Sequence, residues 1–161
     1  MSDTSVIPAS ITVRNLFEDL LGRDVNVSSG DPMTAEDLPT GVIAVYTDTS
    51  QQLYAVLGMQ LSLAANAGAA LGLLPAGAAE DSIEEEKLFP NLAENVFELC
   101  NVLTSLLNRE GAPHVKLYQV IYPGMELPND ARAHLLALGK RLDLTVEVAR
   151  YGKGKLSLSL V

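Results

Sequence analysis

The chain has 161 residues, 48% of them hydrophobic and only 5% aromatic, with no tryptophan and a formal net charge of −9. That length fits one domain, expected to span residues 1–161, with a core built from Leu, Val, Ile and Ala. An acidic chain without clustered Lys and Arg is poorly suited to nucleic acid, whose phosphates need those residues, so a partner presenting positive charge is expected instead. A single cysteine, Cys100, excludes an internal disulfide and fits a reducing compartment, so a cytoplasmic location is expected. The opening MSDTSVIPAS carries neither a basic nor an apolar leader region, so no signal peptide is expected.

Residues 1–9 read as a loose arm. From Ala9 to Gly22 the positions Ile11, Val13, Leu16, Phe17, Leu20 and Leu21 follow a helical period, with Gly22 as the stop. Asp24 to Val27 reads as a short strand, and the Gly- and Pro-bearing run from Ser28 to Thr40 as a loop. Gly41 to Thr47 is β-branched and strand-like, and Leu53 to Met59 is its expected hairpin partner across a turn.

No charged residue occurs between Asp48 and Glu80. The length alone would allow a membrane span. Gln51, Gln52, Gln60, Ser62, Asn66 and Pro75 oppose it, and no Lys or Arg flanks either end. The expected structure is a buried strand followed by a tightly packed helix, Leu61 to Leu74, ended by Pro75 and Gly77. Gly68 and Gly72 form a G-x-x-x-G pair, which in a soluble protein lets a neighbouring backbone come close.

The charge run EDSIEEEK at 80–87 reads as a solvated helix start, with Ser82 and Glu85 in a capping-box spacing. Pro90 then either kinks this helix or opens a new one. Leu88 to Asn108 reads as an amphipathic helix. Leu92, Val96, Leu99, Leu103 and Leu106 recur at steps of four, three, four and three, which marks one buried face. Glu94, Glu98, Asn101, Ser105 and Asn108 repeat that spacing two residues later, roughly 200° around the helix. Glu98 and Asn101 are therefore neighbours on an outward face. Cys100, set among Leu99, Val102 and Leu103, reads as a buried inert thiol.

After Gly111 and Pro113 the period changes to two, giving a strand over Val115 to Tyr122 that ends at Pro123-Gly124. Asn129 or Asp130 caps a further helix carrying Ala133, Leu135, Leu136 and Leu138 and stopped by Gly139. The remainder reads as a hairpin. Leu142, Leu144, Val146 and Val148 point inward, the turn lies at Tyr151 to Lys155, and Leu156, Leu158 and Leu160 return with Ser157 and Ser159 facing out. Strand hairpins with helices between them predict an α+β fold with a largely antiparallel sheet and helices packed on it. A homodimer is open, with Lys155 to Val161 as one strand that could extend the sheet between copies.

No metal-ligand spacing is present: His114 and His134 are isolated, so no metal site is expected. Phosphate-binding glycine loops and nucleophile elbows are also absent. What remains is Glu98-x-x-Asn101, for which an ordinary solvated helix face is the competing reading. A second match, Glu126 to Asn129, spans Pro128 in a loop and reads as accidental.

The arrangement of Glu94, Glu98 and Asn101 on one helix, with Pro123-Gly124 after a strand, resembles the CheC/CheX family of chemotaxis response-regulator phosphatases. With one E-x-x-N in helical context it is more similar to the single-site CheX type than to the two-site CheC type. The family position held by Asp or Ser is Glu94 here. The resemblance implies a phosphorylated CheY-like response regulator as substrate and partner, with Glu98 and Asn101 as catalytic residues and Glu94 as a partner contact. No cofactor of the chain's own is implied; Mg²⁺ is expected on the regulator. The alternative it leaves is a non-catalytic binding module of the same fold, serving a regulator or a flagellar switch.

Overall fold

Six strands form one sheet in which every neighbouring pair runs antiparallel. The computed structural model describes residues 7–108 and 113–161. Residues 1–6 of the expected arm and the break at Gly111 lie outside them. The strands are β1 (Val25–Ser29), β2 (Val42–Asp48), β3 (Leu53–Met59), β4 (Val115–Ile121), β5 (Arg141–Val148) and β6 (Gly152–Leu160). Their order in the sheet is β1-β5-β6-β3-β2-β4. The helices are α1 (Ser10–Leu21), α2 (Leu61–Leu71), α3 (Ala76–Glu84), α4 (Pro90–Val102) and α5 (Asn129–Leu136). Short 3-10 turns lie at Leu38–Thr40 and Leu103–Leu106. The α+β architecture expected from the sequence is the one observed.

One face of the sheet carries the main core. Val42, Ala44 and Tyr46 of β2, Leu57 of β3 and Leu156 and Leu158 of β6 meet Phe17 of α1, Leu63 and Ala67 of α2, and Val96 and Leu99 of α4. The opposite face is covered too. Met33 and Leu38 from the loop before β2, with Ala131 and Leu135 of α5, close over Ile43, Val45, Val56 and Ile121. A strand covered on both faces has no need to alternate, which is why Val42 to Tyr46 of β2 form an unbroken apolar run.

The second cover and the strand order each correct an expectation. Ser157 and Ser159 do not face solvent; they are 0% and 5% exposed. Ser157 Oγ accepts a hydrogen bond from the Met33 amide at 3.0 Å, so the loop is stitched to β6 through it. The loop is held again where Lys155 Nζ meets Asp37 Oδ2 at 3.0 Å. Burial alone raises the Asp37 pKa, but the Thr34 amide and the Lys155 ammonium outweigh it and hold the carboxyl below its ordinary value. The second correction concerns the dimer strand: β6 lies between β5 and β3 and has no free edge, so it cannot extend the sheet into another copy.

The expected turn at Tyr151 to Lys155 is strand from Gly152 onward, and the chain reverses at Ala149–Tyr151, with Arg150 at φ +71°. The glycines there serve packing. A Cβ on Gly154 would stand 2.6 Å from the backbone nitrogen of Leu63, because the start of α2 crosses the strand at that point.

The charge-free stretch is β3 followed by α2, and α2 is buried nearly all round, as a helix apolar on every side must be. Its Leu63, Ala64 and Ala67 face the sheet, while Ala65 and Ala69 face Ala79 of α3 and Leu92 of α4. Among the described residues no helix is long and apolar enough to cross a membrane. Gly77 does not end this helix. It sits inside α3, a helix that the charge run alone would place later in the chain. Ser82 is likewise no N-cap: it lies in the last turn of α3, where its hydroxyl donates to the Lys87 carbonyl.

Two further boundaries differ. α5 starts behind Pro128 with no side-chain cap, Asp130 receiving only the amide of Ala131 at 2.8 Å. It also ends early, at Leu136, leaving Leu138 96% exposed rather than on a packed face.

Candidate functional site

Phe89 is extended and Pro90 takes the first helical position, where its missing N–H costs nothing, so α4 is a new helix rather than a kinked continuation. Leu92, Val96 and Leu99 are fully buried, and the helix tightens into the 3-10 turn at Leu103. Glycines in α2 set how closely α4 lies. A Cβ on Gly68 would come 3.0 Å from Val96 Cγ2 and 3.1 Å from the Leu92 carbonyl oxygen. Asn95 Nδ2 donates to the Gly68 carbonyl at 3.0 Å across this contact. From the sheet side, Tyr46 Oη donates to the Cys100 carbonyl at 2.7 Å. α4 is thus held from two sides, by α2 at Leu92 to Val96 and by β2 at Cys100.

Glu94, Glu98, Asn101 and Ser105 all lie exposed on the face away from the core. Among the described residues, the side chains of Glu94, Glu98 and Asn101 make no hydrogen bond or ion pair. Asn108, expected on the same stripe, departs from it: its amide donates to the Val115 carbonyl at 2.8 Å and receives the Val115 amide at 2.7 Å. It fastens the start of β4 instead of facing a partner.

Cys100 is fully buried, and burial pushes its thiol up to about 12. The thiolate is therefore scarce at neutral pH, and the residue is no nucleophile. Pro123-Gly124 forms a turn whose Gly124 amide donates to the Pro39 carbonyl at 3.2 Å, with Gly124 at φ +87°. The preceding Tyr122 reaches α4, its hydroxyl 3.5 Å from the Ala93 carbonyl.

Sequence reasoning missed Phe97. It stands 48% exposed beside Glu98 and, with Pro90, Ala93, Glu94 and Tyr122, lines an open recess of about 440 Å³. The signal was available: Phe97 is the one aromatic on α4, and it lies off the buried stripe.

Chemically, the face offers two carboxylates, one amide and one aromatic ring on a rigid support. Among the described residues no three His, Cys, Asp or Glu side chains are grouped to hold a metal ion. The array can pair with cations, orient a water molecule and bury an apolar side chain.

No family model and no curated protein matches the sequence. Solved structures do match in shape. A chain of the FliM–SpeE complex from H. pylori aligns over 94% of this chain and 80% of its own, at 10% identity and a TM-score of 0.61. FliY from Thermotoga maritima aligns over 96% and 84%, at 13% identity and a TM-score of 0.55. The CheX–CheY–BeF₃–Mg²⁺ complex from Borrelia burgdorferi aligns over 91% and 90%, at 12% identity, with a TM-score of 0.48 that is too low to argue from. The chain has the CheC/CheX/FliM-like fold.

Proposed function

From that fold and the face that α4 presents, we propose that this protein docks a phosphorylated CheY-like response regulator and speeds loss of its phosphoryl group. Glu98 and Asn101 act at the reaction centre, and Glu94 contacts the partner. The observation that carries this reading is the state of the two side chains. They are neighbours on a helix locked from behind, exposed, and bonded to nothing in the described residues.

The bond to be broken joins phosphorus to a carboxylate oxygen of the regulator's aspartate. A water oxygen attacks phosphorus in line, the P–O bond to the aspartate breaks, and the carboxylate leaves with its electron pair. The water's protons end on inorganic phosphate and solvent. The transition state of phosphoryl transfer is loose, so placing the water matters more than a strong base. The Asn101 amide is equipped to place it, since its oxygen accepts from the water while its NH₂ donates to a phosphoryl oxygen. Glu98, one turn away, pairs with a cation of the regulator and fixes the docking register. Mg²⁺ enters only as the regulator's own ion.

The test is the decay of a phosphorylated receiver domain with and without this protein. Asn101→Ala is expected to reduce the acceleration roughly 100-fold with the fold unchanged, since the side chain is exposed. An unaltered rate in that variant refutes the assignment. A second reading, a docking module that performs no chemistry, is favoured by the likeness to a subunit of a protein–protein complex, FliM with SpeE. Saturable binding of the receiver without faster decay is its signature.

A further inference from the structure

Phe97 has no part in the chemistry above, yet it is a large ring left half in water beside Glu98, four residues before Asn101. The recess it shares with Pro90, Ala93 and Tyr122 is open and mostly apolar, with Glu94 on its rim. An exposed aromatic at an apolar concavity is the usual anchor of a protein interface.

Charge restricts the occupant. Glu94 on the rim and Glu98 next to Phe97 are both exposed acids, and no Lys or Arg lines the recess. The chain as a whole carries a net −9. An acidic peptide or anionic lipid surface is repelled there, and a second copy of the chain would set like charge against like. A surface with an apolar side chain flanked by Lys or Arg is complementary.

We infer that this recess is the anchor pocket for the partner: it takes an apolar side chain framed by basic residues, which places Glu98 and Asn101 beside the partner's phosphoryl group. The inference rests on reading α4 as the receiver-facing surface. It makes Phe97 a binding residue with no role at the reacting atoms.

The experiment measures KM and kcat for dephosphorylation of a CheY-like receiver, and Kd for the same receiver activated with beryllofluoride and Mg²⁺. Phe97→Ala is expected to raise KM and Kd about tenfold, and Asn101→Ala to lower kcat. Glu94→Lys reverses charge at the rim without touching the ring, and is expected to weaken binding as well. An unchanged KM in Phe97→Ala and Glu94→Lys, beside a lowered kcat in Asn101→Ala, overturns the pocket and leaves the phosphatase standing. Saturable binding that Phe97→Ala weakens, with no acceleration by the unaltered protein, supports the pocket and overturns the phosphatase. Absence of any binding overturns both.

Discussion

Two glycine-to-alanine changes in neighbouring helices are expected to have opposite effects. In an open helical position Gly→Ala stabilises by up to about 1 kcal/mol, because alanine has less chain entropy to lose. Gly77 is such a position: it lies in the first turn of α3 and nothing stands within 4 Å of an added Cβ. A gain of about 0.5 kcal/mol is expected there. Gly68 is the contrary case. Its added Cβ meets Val96 Cγ2 at 3.0 Å and the Leu92 carbonyl oxygen at 3.1 Å, and the second contact is backbone that cannot rotate away. Overpacking of this kind costs about 1–3 kcal/mol, which exceeds the propensity gain and leaves the variant about 1 kcal/mol less stable. For a chain of this length 1 kcal/mol corresponds to about 2–4 °C in Tm, so the two variants should separate by several degrees in thermal unfolding and in urea midpoint. If Gly68→Ala instead raises the midpoint as Gly77→Ala does, α2 and α4 do not touch as closely as described, and the reason given for the G-x-x-x-G pair fails.

Tyr46→Phe removes the hydroxyl that holds the Cys100 carbonyl at 2.7 Å in a fully buried setting. A loss of about 1 kcal/mol is expected, read as a lower Tm; an unchanged Tm counts against the tether. Cys100 should resist thiol reagents in the native protein at pH 8 and react at once in urea; rapid native labelling would contradict its burial. Because burial raises the folded thiol to about 12, the unfolded chain loses that proton first. Stability from this group is therefore intact below pH of about 9 and falls as pH climbs towards the folded value, and Cys100→Ala should flatten that part of the profile.

Much of the fold was legible because the sequence states it locally. The 3.6-residue stripe of Leu92, Val96 and Leu99 gave the buried face of α4, and with it the outward row of Glu94, Glu98 and Asn101. The alternation of Leu144, Val146 and Val148 gave β5. Most of what failed needed knowledge of a distant neighbour. Ser157 looked solvent-facing because small polar residues alternate with leucines, and only the loop bearing Met33 turns that face into an interior. Gly152 and Gly154 looked like a turn because glycine signals both sharp reversals and close approach, and the approach of α2 is set by tertiary packing. Asn108 continued the stripe in spacing, but the 3-10 turn at Leu103 shifts the phase before it. Phe97 was passed over because it belongs to neither regular stripe.

The middle position of β6 bears on how the protein is made. On the ribosome, β1 to β5 emerge before the strand that joins them, so until residues 152–160 appear, β3 and β5 each carry an open edge. Unpaired edges of this sort recruit other chains. Nascent chains stalled before Gly152 are thus the species most exposed to aggregation and most in need of a chaperone.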